Sequence, residues 1–591
     1  MRLQALTLAL TLGLSLAAHA ATPVERLTDL AARYYDARAR FDPIAATQLD
    51  DHRFDDQLPL DIAPAERAKR FAAWRGLLKE LSAVPVKALP AAERLNHELL
   101  TQQLRDLLAF EPFPEHLLPL HHMGATPFQV AFFASGEAGQ PLKTAAQLDA
   151  YLKRVAGLPA WCDQAIVNMR EGMQRGVVQA LPVVEAMLPM LKNLADTDAE
   201  RSAYTGPVRA LPDGLSADDR TRLAAAYRRE FSERTQPALR RLATFVEAEY
   251  LPAARQRGSI GWSTLPNGRA WYQQWVHEQT TTDLTPQQIH ALGLQEVARI
   301  QREITRLAPQ MGFTGDPLKD GGLLAWARSD ARFRPFKTEA EILDHYRALN
   351  ARVMPQLPRL FGRQPRMPLE IRPEPELTRQ TASDHYTLGQ ADGSAPGIFW
   401  AVINDPAEYS VSSMAALFLH EGQPGHHFHL GLQAEMPLPE FRRRQWINAF
   451  GEGWALYAET LGHDLGLYDA PVSQAGALRL EIGRAARLVV DTGLHAKGWS
   501  REQALKYWRD TTGASEQQAA AQIDRYLAWP GQALGYKIGA LKIQELRRRA
   551  EQKLGPKFSL AAFHDQVLGE GSLPLSVLER RVNAWIASQA R

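Results

Sequence analysis

Cysteine is almost absent from this chain: Cys162 is the only one in 591 residues. No disulfide can close within the chain, and no cysteine-based zinc cluster can form. Beside Trp161, the thiol reads as a small buried hydrophobe. Neither sign of charge is in excess. The 68 basic and 66 acidic residues leave a net charge of +2, so no gross field draws the chain to nucleic acid or to an anionic membrane. Past the N-terminus there is no apolar run long enough to span a bilayer. Internal repeats and low-complexity linkers are missing as well. What remains is an ordinary globular composition, 45% hydrophobic and 23% charged, enough to build a large core.

The N-terminus has the pattern of a processing signal. Arg2 supplies a positive charge, Leu3 to Ala18 is mostly apolar, and Ala18-His19-Ala20 fits the small-x-small cleavage rule. Cleavage after Ala20 is expected, with export to the periplasm or beyond. The apolar stretch is short for a spanning helix, and no cysteine follows it to carry a lipid, so no membrane anchor is expected after cleavage. An uncleaved anchor is the lesser alternative.

The chemistry gathers at Leu419-His420-Glu421-Gly422-Gln423-Pro424-Gly425-His426-His427, answered by Phe450-Gly451-Glu452-Gly453-Trp454-Ala455-Leu456-Tyr457-Ala458-Glu459. In His-Glu-x-x-His, two histidines four apart share one helix face and hold Zn²⁺, and the glutamate between them works on a water. Here position 424, where the second histidine belongs, is proline, and the next histidine is six residues after His420. On an unbroken helix, that spacing rotates the side chain by about 240° and displaces it by about 9 Å. No single ion could join such a pair. Proline breaks helices and glycine permits the dihedrals of a reversal. The sequence therefore predicts a helix that deforms over Gly422–Gly425 and swings His426 back beside His420. His427 is the rival for the second histidine. Glu452 and Glu459, about two turns apart on one face, compete for the third ligand.

These stretches resemble the DUF885 family of bacterial zincin-like proteins, as do Leu265-Pro266-Asn267-Gly268, the segment from Asp491 through His495 to Trp499, and the segment from Pro530 through Tyr536 to Gly539. The resemblance spans most of the mature chain. It implies kinship with gluzincin metallopeptidases, which set two histidines and one glutamate around zinc. It favours His426 over His427, and it favours Glu452, whose following Gly453 resembles the gluzincin ligand helix where glycine gives the metal room. It leaves the substrate undefined.

On this reading Glu421 is the general base, and His420, His426 and Glu452 hold one Zn²⁺ per chain, although Mn²⁺ or Co²⁺ could occupy such a site. Tyr536 and His495 are the candidates to donate to a developing oxyanion. Asp491, four residues before His495, could orient its ring. Arg484, Arg487 and Lys537 could bind a substrate carboxylate or lie in structural salt bridges.

The rest of the chain reads as helices. Thr285, Pro286 and Gln288 form a strong helix entry, and Ser216 caps an amphipathic stretch that runs to Tyr250. A small sheet is expected over about 365–405, where Leu369–Pro373 and Gly397–Ile403 are rich in β-formers. Residues 398–403 are either an edge that pairs with extended substrate or plain core strand. The expectation is a mainly α, gluzincin-type fold, with a signal peptide at 1–20 and one catalytic domain over 21–591 whose metal-site core spans about 410–540. The expected activity is zinc-dependent hydrolysis of short peptides. A zinc amidase on unusual amides and a zincin-shaped binding protein remain open. An intact Glu421 argues against the latter, since binding alone needs no base.

Overall fold

A computed structural model describes residues 21–136, 139–319, 322–376, 379 and 382–590. The expected signal segment lies outside the described residues. Helices dominate from Pro23–Phe41 to Leu575–Gln589, and their starts follow local rules. At Thr285 the capping box forms as the sequence predicts: Gln288 N donates to Thr285 Oγ1 at 3.3 Å, and Thr285 N donates to Gln288 Oε1 at 2.8 Å. The same reciprocal bonds open the helices at Thr144, Thr338, Ser500 and Ser515. The stretch after Ser216 is helical to Gln256, with π turns at Phe231–Thr235 and Val246–Tyr250. Each π turn sits just ahead of a proline, Pro237 or Pro252, whose missing N–H removes one α-helical bond.

Most buried side chains of residues 145–256 gather with Ile44, Ile62, Leu120, Val130 and Phe133 in one cluster, which includes Leu148, Trp161, Cys162 and Leu242. Burial pushes the Cys162 thiol up to about 12, so it remains protonated and acts as a small apolar group. A second, larger cluster joins the N-terminal helices, the sheet and the C-terminal helices.

The site is carried by the second half of the chain. Its elements are α1 (Pro286–Leu307), β1 (Leu369–Pro373), β2 (His385–Thr387), β3 (Gly397–Ala401), α2 (Met414–Glu421), α3 (His426–Glu435), α4 (Asn448–Thr460), α5 (Pro471–Ala496) and α6 (Gly535–Leu554). The sheet order is β1-β3-β2. Ile371 pairs with Phe399 in the parallel ladder, and Tyr386 pairs with Phe399 in the antiparallel one. Of the two readings of 398–403, this sets aside the substrate edge and bears out the core strand. The strand over Gly397–Ala401 is central, flanked on both sides, and has no ladder groups to offer a substrate. The covering strand, β2, has only three residues, too few to show periodicity in the sequence.

Two helix pairs frame the centre: α1 on α5, and α4 on α6. The α4–α6 crossing depends on a pair of glycines. A Cβ on Gly453 would sit 2.5 Å from Gly539 Cα, and one on Gly539 would sit 1.8 Å from the Ala449 carbonyl oxygen. Only bare backbones approach so closely. This crossing carries Glu452, next to Gly453, and Tyr536, one turn before Gly539.

Gly539→Ala is therefore expected to destabilise the fold by about 1–3 kcal/mol through overpacking. Gly483→Ala, where an added Cβ meets nothing within 4 Å, should be neutral or stabilising by up to about 1 kcal/mol. Denaturant midpoints of the two variants measured side by side check this contrast.

Candidate metal centre

The helix that carries His420 stops at Glu421. Gly422 (φ −94°, ψ −121°) and Gly425 (φ −80°, ψ −124°) reverse the chain, and the next helix begins at His426. The reversal is tight. A Cβ on Gly425 would lie 2.0 Å from the His420 carbonyl oxygen and 2.3 Å from that of Leu419. From the facing helix, Trp454 Nε1 donates to the Pro424 carbonyl at 2.8 Å and pins the turn. The predicted deformation is thus present, and it sets the His420 and His426 rings 4.8 Å apart, nearly perpendicular.

Glu452 reaches this pair from α4. Its Oε2 lies 3.6 Å from His420 Nε2 and 3.5 Å from His426 Nε2. These separations are too long for hydrogen bonds, and Glu452 Oε2 is buried without a hydrogen-bond partner. One donor atom from each of His420, His426 and Glu452 fits within 4.8 Å. A tetrahedral ion with bonds of about 2.0–2.2 Å spaces its ligand atoms by about 3.3–3.6 Å. The two His–Glu distances match that spacing, so the residues present fit a zinc ion.

Glu459 takes a different place from its rival Glu452. Its Oε1 accepts from His420 Nδ1 at 2.8 Å, so that Nε2 faces the centre and, once it gives up its proton, can offer its lone pair to a cation. Metal-bound histidines are ordinarily oriented by such a carboxylate. Electrostatics reinforce the arrangement. Burial alone would lower the His420 pKa, but Glu452 and Glu459 outweigh it and raise it to about 10. Burial likewise opposes ionisation of Glu452, yet the two histidines hold its carboxyl well below the usual range. Glu421, 7% exposed, is pushed up by burial, with His420 and His426 partly offsetting the effect. Three carboxylates thus face two histidines in a nearly dry site, an environment that calls for added positive charge.

A family model described as a bacterial protein of unknown function, DUF885, matches residues 43–582. The chain belongs to the DUF885 family. It is similar to the crystal structure of a candidate lipoprotein from Colwellia psychrerythraea, at 27% identity and a TM-score of 0.86, over 96% of this chain and 100% of that one. A candidate lipoprotein of unknown function from Shewanella oneidensis shares the fold at 19% identity and a TM-score of 0.73, over 95% and 99% of the two chains. No functionally curated protein matches.

The other predicted residues of this DUF885 chain divide. Tyr536 joins the centre: its ring lies nearly parallel to that of His420, with centroids 6.4 Å apart. It does so from the first turn of α6 rather than from an irregular turn. His427 points away, with Nδ1 3.1 Å from the Tyr386 hydroxyl on β2, and burial lowers its pKa to about 4. The pairing of Asp491 with His495 does not form. Asp491 instead accepts from the Tyr272 hydroxyl and from Gly531 N. Burial raises its pKa to about 7 against those bonds. Both ring nitrogens of His495 are taken by backbone: Nε2 donates to the Tyr526 carbonyl at 2.9 Å, and Nδ1 accepts from Trp262 N at 3.4 Å. Fully buried and held neutral, with its pKa lowered to about 4 by burial, His495 fastens α5 to its neighbours and contacts none of the metal-centre residues. Lys537 is equally structural, bonded to Glu481 at 2.7 Å and Glu296 at 2.9 Å.

Sequence reasoning missed two contributors. Trp454 lies inside the second motif, but its bond to Pro424 appears only once the chain has turned. Arg525, whose Nη2 is 3.4 Å from the Tyr536 hydroxyl, belongs to no motif.

Removing the Glu459 carboxylate with Glu459→Ala should lower zinc affinity by about 10–100-fold, whereas His427→Ala should leave it unchanged. Competition against a chromogenic chelator measures both.

Proposed function

We propose that this DUF885 chain is an exported zinc-dependent hydrolase that cleaves short peptides. The observation carrying this reading is the convergence of His420, His426 and Glu452 donor atoms within 4.8 Å, with Glu421 next to a ligand in the chain. Such a triad with an adjacent glutamate is the constellation of gluzincin peptidases, to which the sequence motifs bear a resemblance. Zinc held there supplies Lewis-acid polarisation of a carbonyl and lowers the pKa of water to about 7.

The chain's own groups do the rest. Glu421 takes a proton from the attacking water and returns it to the leaving nitrogen. The amide C–N bond breaks, the water oxygen goes to the carbonyl carbon, and both water protons end on the departing amine. Tyr536, whose ring lies alongside that of His420, would donate its hydroxyl to the oxyanion as charge develops there. The near-complete burial of the three ligands and Glu421 excludes bulk water and strengthens each of these interactions. A recessed centre of this kind suits small or flexible chains and disfavours folded proteins.

Export is supported by the signal-like residues 1–20 and by the description of the Colwellia relative as a candidate lipoprotein. No helix among the described residues is long and apolar enough to cross a membrane. The mature chain from Ala21 onward would then act as one catalytic body.

Glu421→Gln should retain zinc and lower kcat/KM toward a short peptide by about 10²–10⁴-fold. Peptide turnover with zinc titration of the same preparation tests this, and undiminished activity would overturn the assignment of the base.

A further inference from the structure

Beyond the ligands, the most unusual feature of the site is a group of arginines with too few acceptors. Arg484 and Arg487 lie three residues apart on α5, on one side of the helix, and both lean over Tyr536. The Arg487 guanidinium carbon is 4.4 Å from the ring centroid, and that of Arg484 is 5.6 Å away. Arg525 approaches the hydroxyl end of the same ring. Arg487 is only 8% exposed. Its Nε and Nη1 are buried with no hydrogen-bond partner, as are Nε of Arg484 and Nε of Arg525. Among the described residues Arg487 makes no ion pair, and Arg484 reaches only Glu459 at the 4.0 Å limit.

Buried guanidinium groups normally spend their donors on carboxylates, and a donor left without an acceptor is costly. The contrast within α5 is instructive. Arg479 bonds Ser413 through both Nε and Nη2, and Glu481 is met by Arg299 and Lys537. Arg487, by contrast, has the Tyr526 hydroxyl as its neighbour and no carboxylate within ion-pair distance among the described residues. A guanidinium fork is matched by a planar, bidentate anion, and a carboxylate is the form that anion takes on a peptide. Distance narrows the choice further. Tyr536 touches both the His420 ring and Arg487, so the guanidinium lies within about 11 Å of that ring, a span of about three residues of extended chain.

We infer that Arg487, supported by Arg484 and Arg525 around Tyr536, binds a substrate carboxylate a few residues beyond the scissile bond, so that the enzyme releases short C-terminal fragments rather than cutting within long chains. This rests on the peptidase reading above and adds its substrate class. The carboxylate in question is the free C-terminus. An acidic side chain offers the same chemistry, and the test separates the two.

The experiment uses the zinc-loaded full chain and three probes: N-acetyl-tetra-alanine, its C-terminal amide, and an amide of equal length with aspartate as the last residue. Cleavage is followed by mass spectrometry. Binding is followed by calorimetry on the Glu421→Gln protein, which reads recognition even if no probe is turned over. The free acid should be preferred over the plain amide by about 10–100-fold in kcat/KM and in affinity. Arg487→Gln should abolish that preference while zinc content stays at the wild-type level, a pattern that loss of packing alone would not give. Preference for the aspartyl amide alone would keep carboxylate recognition and overturn the C-terminal assignment. Equal treatment of all three probes by a protein that still cleaves them would overturn the inference and leave the peptidase reading standing. No cleavage, with the acid still bound more tightly by Glu421→Gln and not by its Arg487→Gln derivative, would overturn the peptidase reading and keep the carboxylate site.

Discussion

The packing of Gly425 against the last carbonyls of the preceding helix constrains everything else at the centre. A Cβ at residue 425 would fall 2.0 Å from the His420 oxygen and 2.3 Å from that of Leu419, so no side chain can be accommodated there. The chain must leave α2 and re-enter α3 within four residues, and that short path puts His426 beside His420. The indole of Trp454 then ties the turn to α4, the helix that also bears Glu452 and Glu459. The glycine-on-glycine crossing of α4 with α6 carries the constraint on to Tyr536. A backbone contact, a hydrogen bond and a helix crossing thus act in series, and the metal-ligand geometry comes out of them without an unbroken His-Glu-x-x-His helix.

The electrostatics explain why this geometry is worth its cost. Placing Glu421, Glu452 and Glu459 together in a water-poor region is unfavourable unless positive charge is brought to them. Protonated histidine can supply part of it, as the raised His420 pKa indicates. A dication would supply more and would also satisfy the otherwise unpartnered Glu452 Oε2. The arginines above Tyr536 supply a further part, Arg484 acting on Glu421 and on Glu459 at 4.0 Å and Arg487 on Glu452. Acidic groups that suit a cation thus lie on one side of the Tyr536 ring and arginines that suit an anion on the other.

Much of this was legible in the sequence where the physics is local. Capping boxes such as Thr285–Gln288 need only neighbouring residues, and the expected break at Gly422–Gly425 follows from proline and helical pitch. The mainly α class and the sheet region near 365–405 were readable from periodicity. What could not be read depends on distant partners. Asp491 and His495 have the four-residue spacing of an interacting pair, but Tyr272, 219 residues away, and Gly531, 40 residues away, claim the carboxylate, and backbone groups claim the imidazole. The choice between Glu452 and Glu459 is likewise invisible to spacing, because both share a face. It is decided by which end of the His420 ring each one meets. β2 is too short to carry a signal, and its presence decides for a central strand where the sequence left edge and core open.

The central claim is that the Pro-Gly interruption builds a metal centre rather than dismantling one. Elemental mass spectrometry of the purified mature chain, alongside a folded His426→Ala variant, tests it most directly. The account predicts one zinc per wild-type chain and a loss of that zinc in the variant. Absence of metal from the wild type after zinc is supplied, or zinc that persists at full stoichiometry without His426, would contradict it.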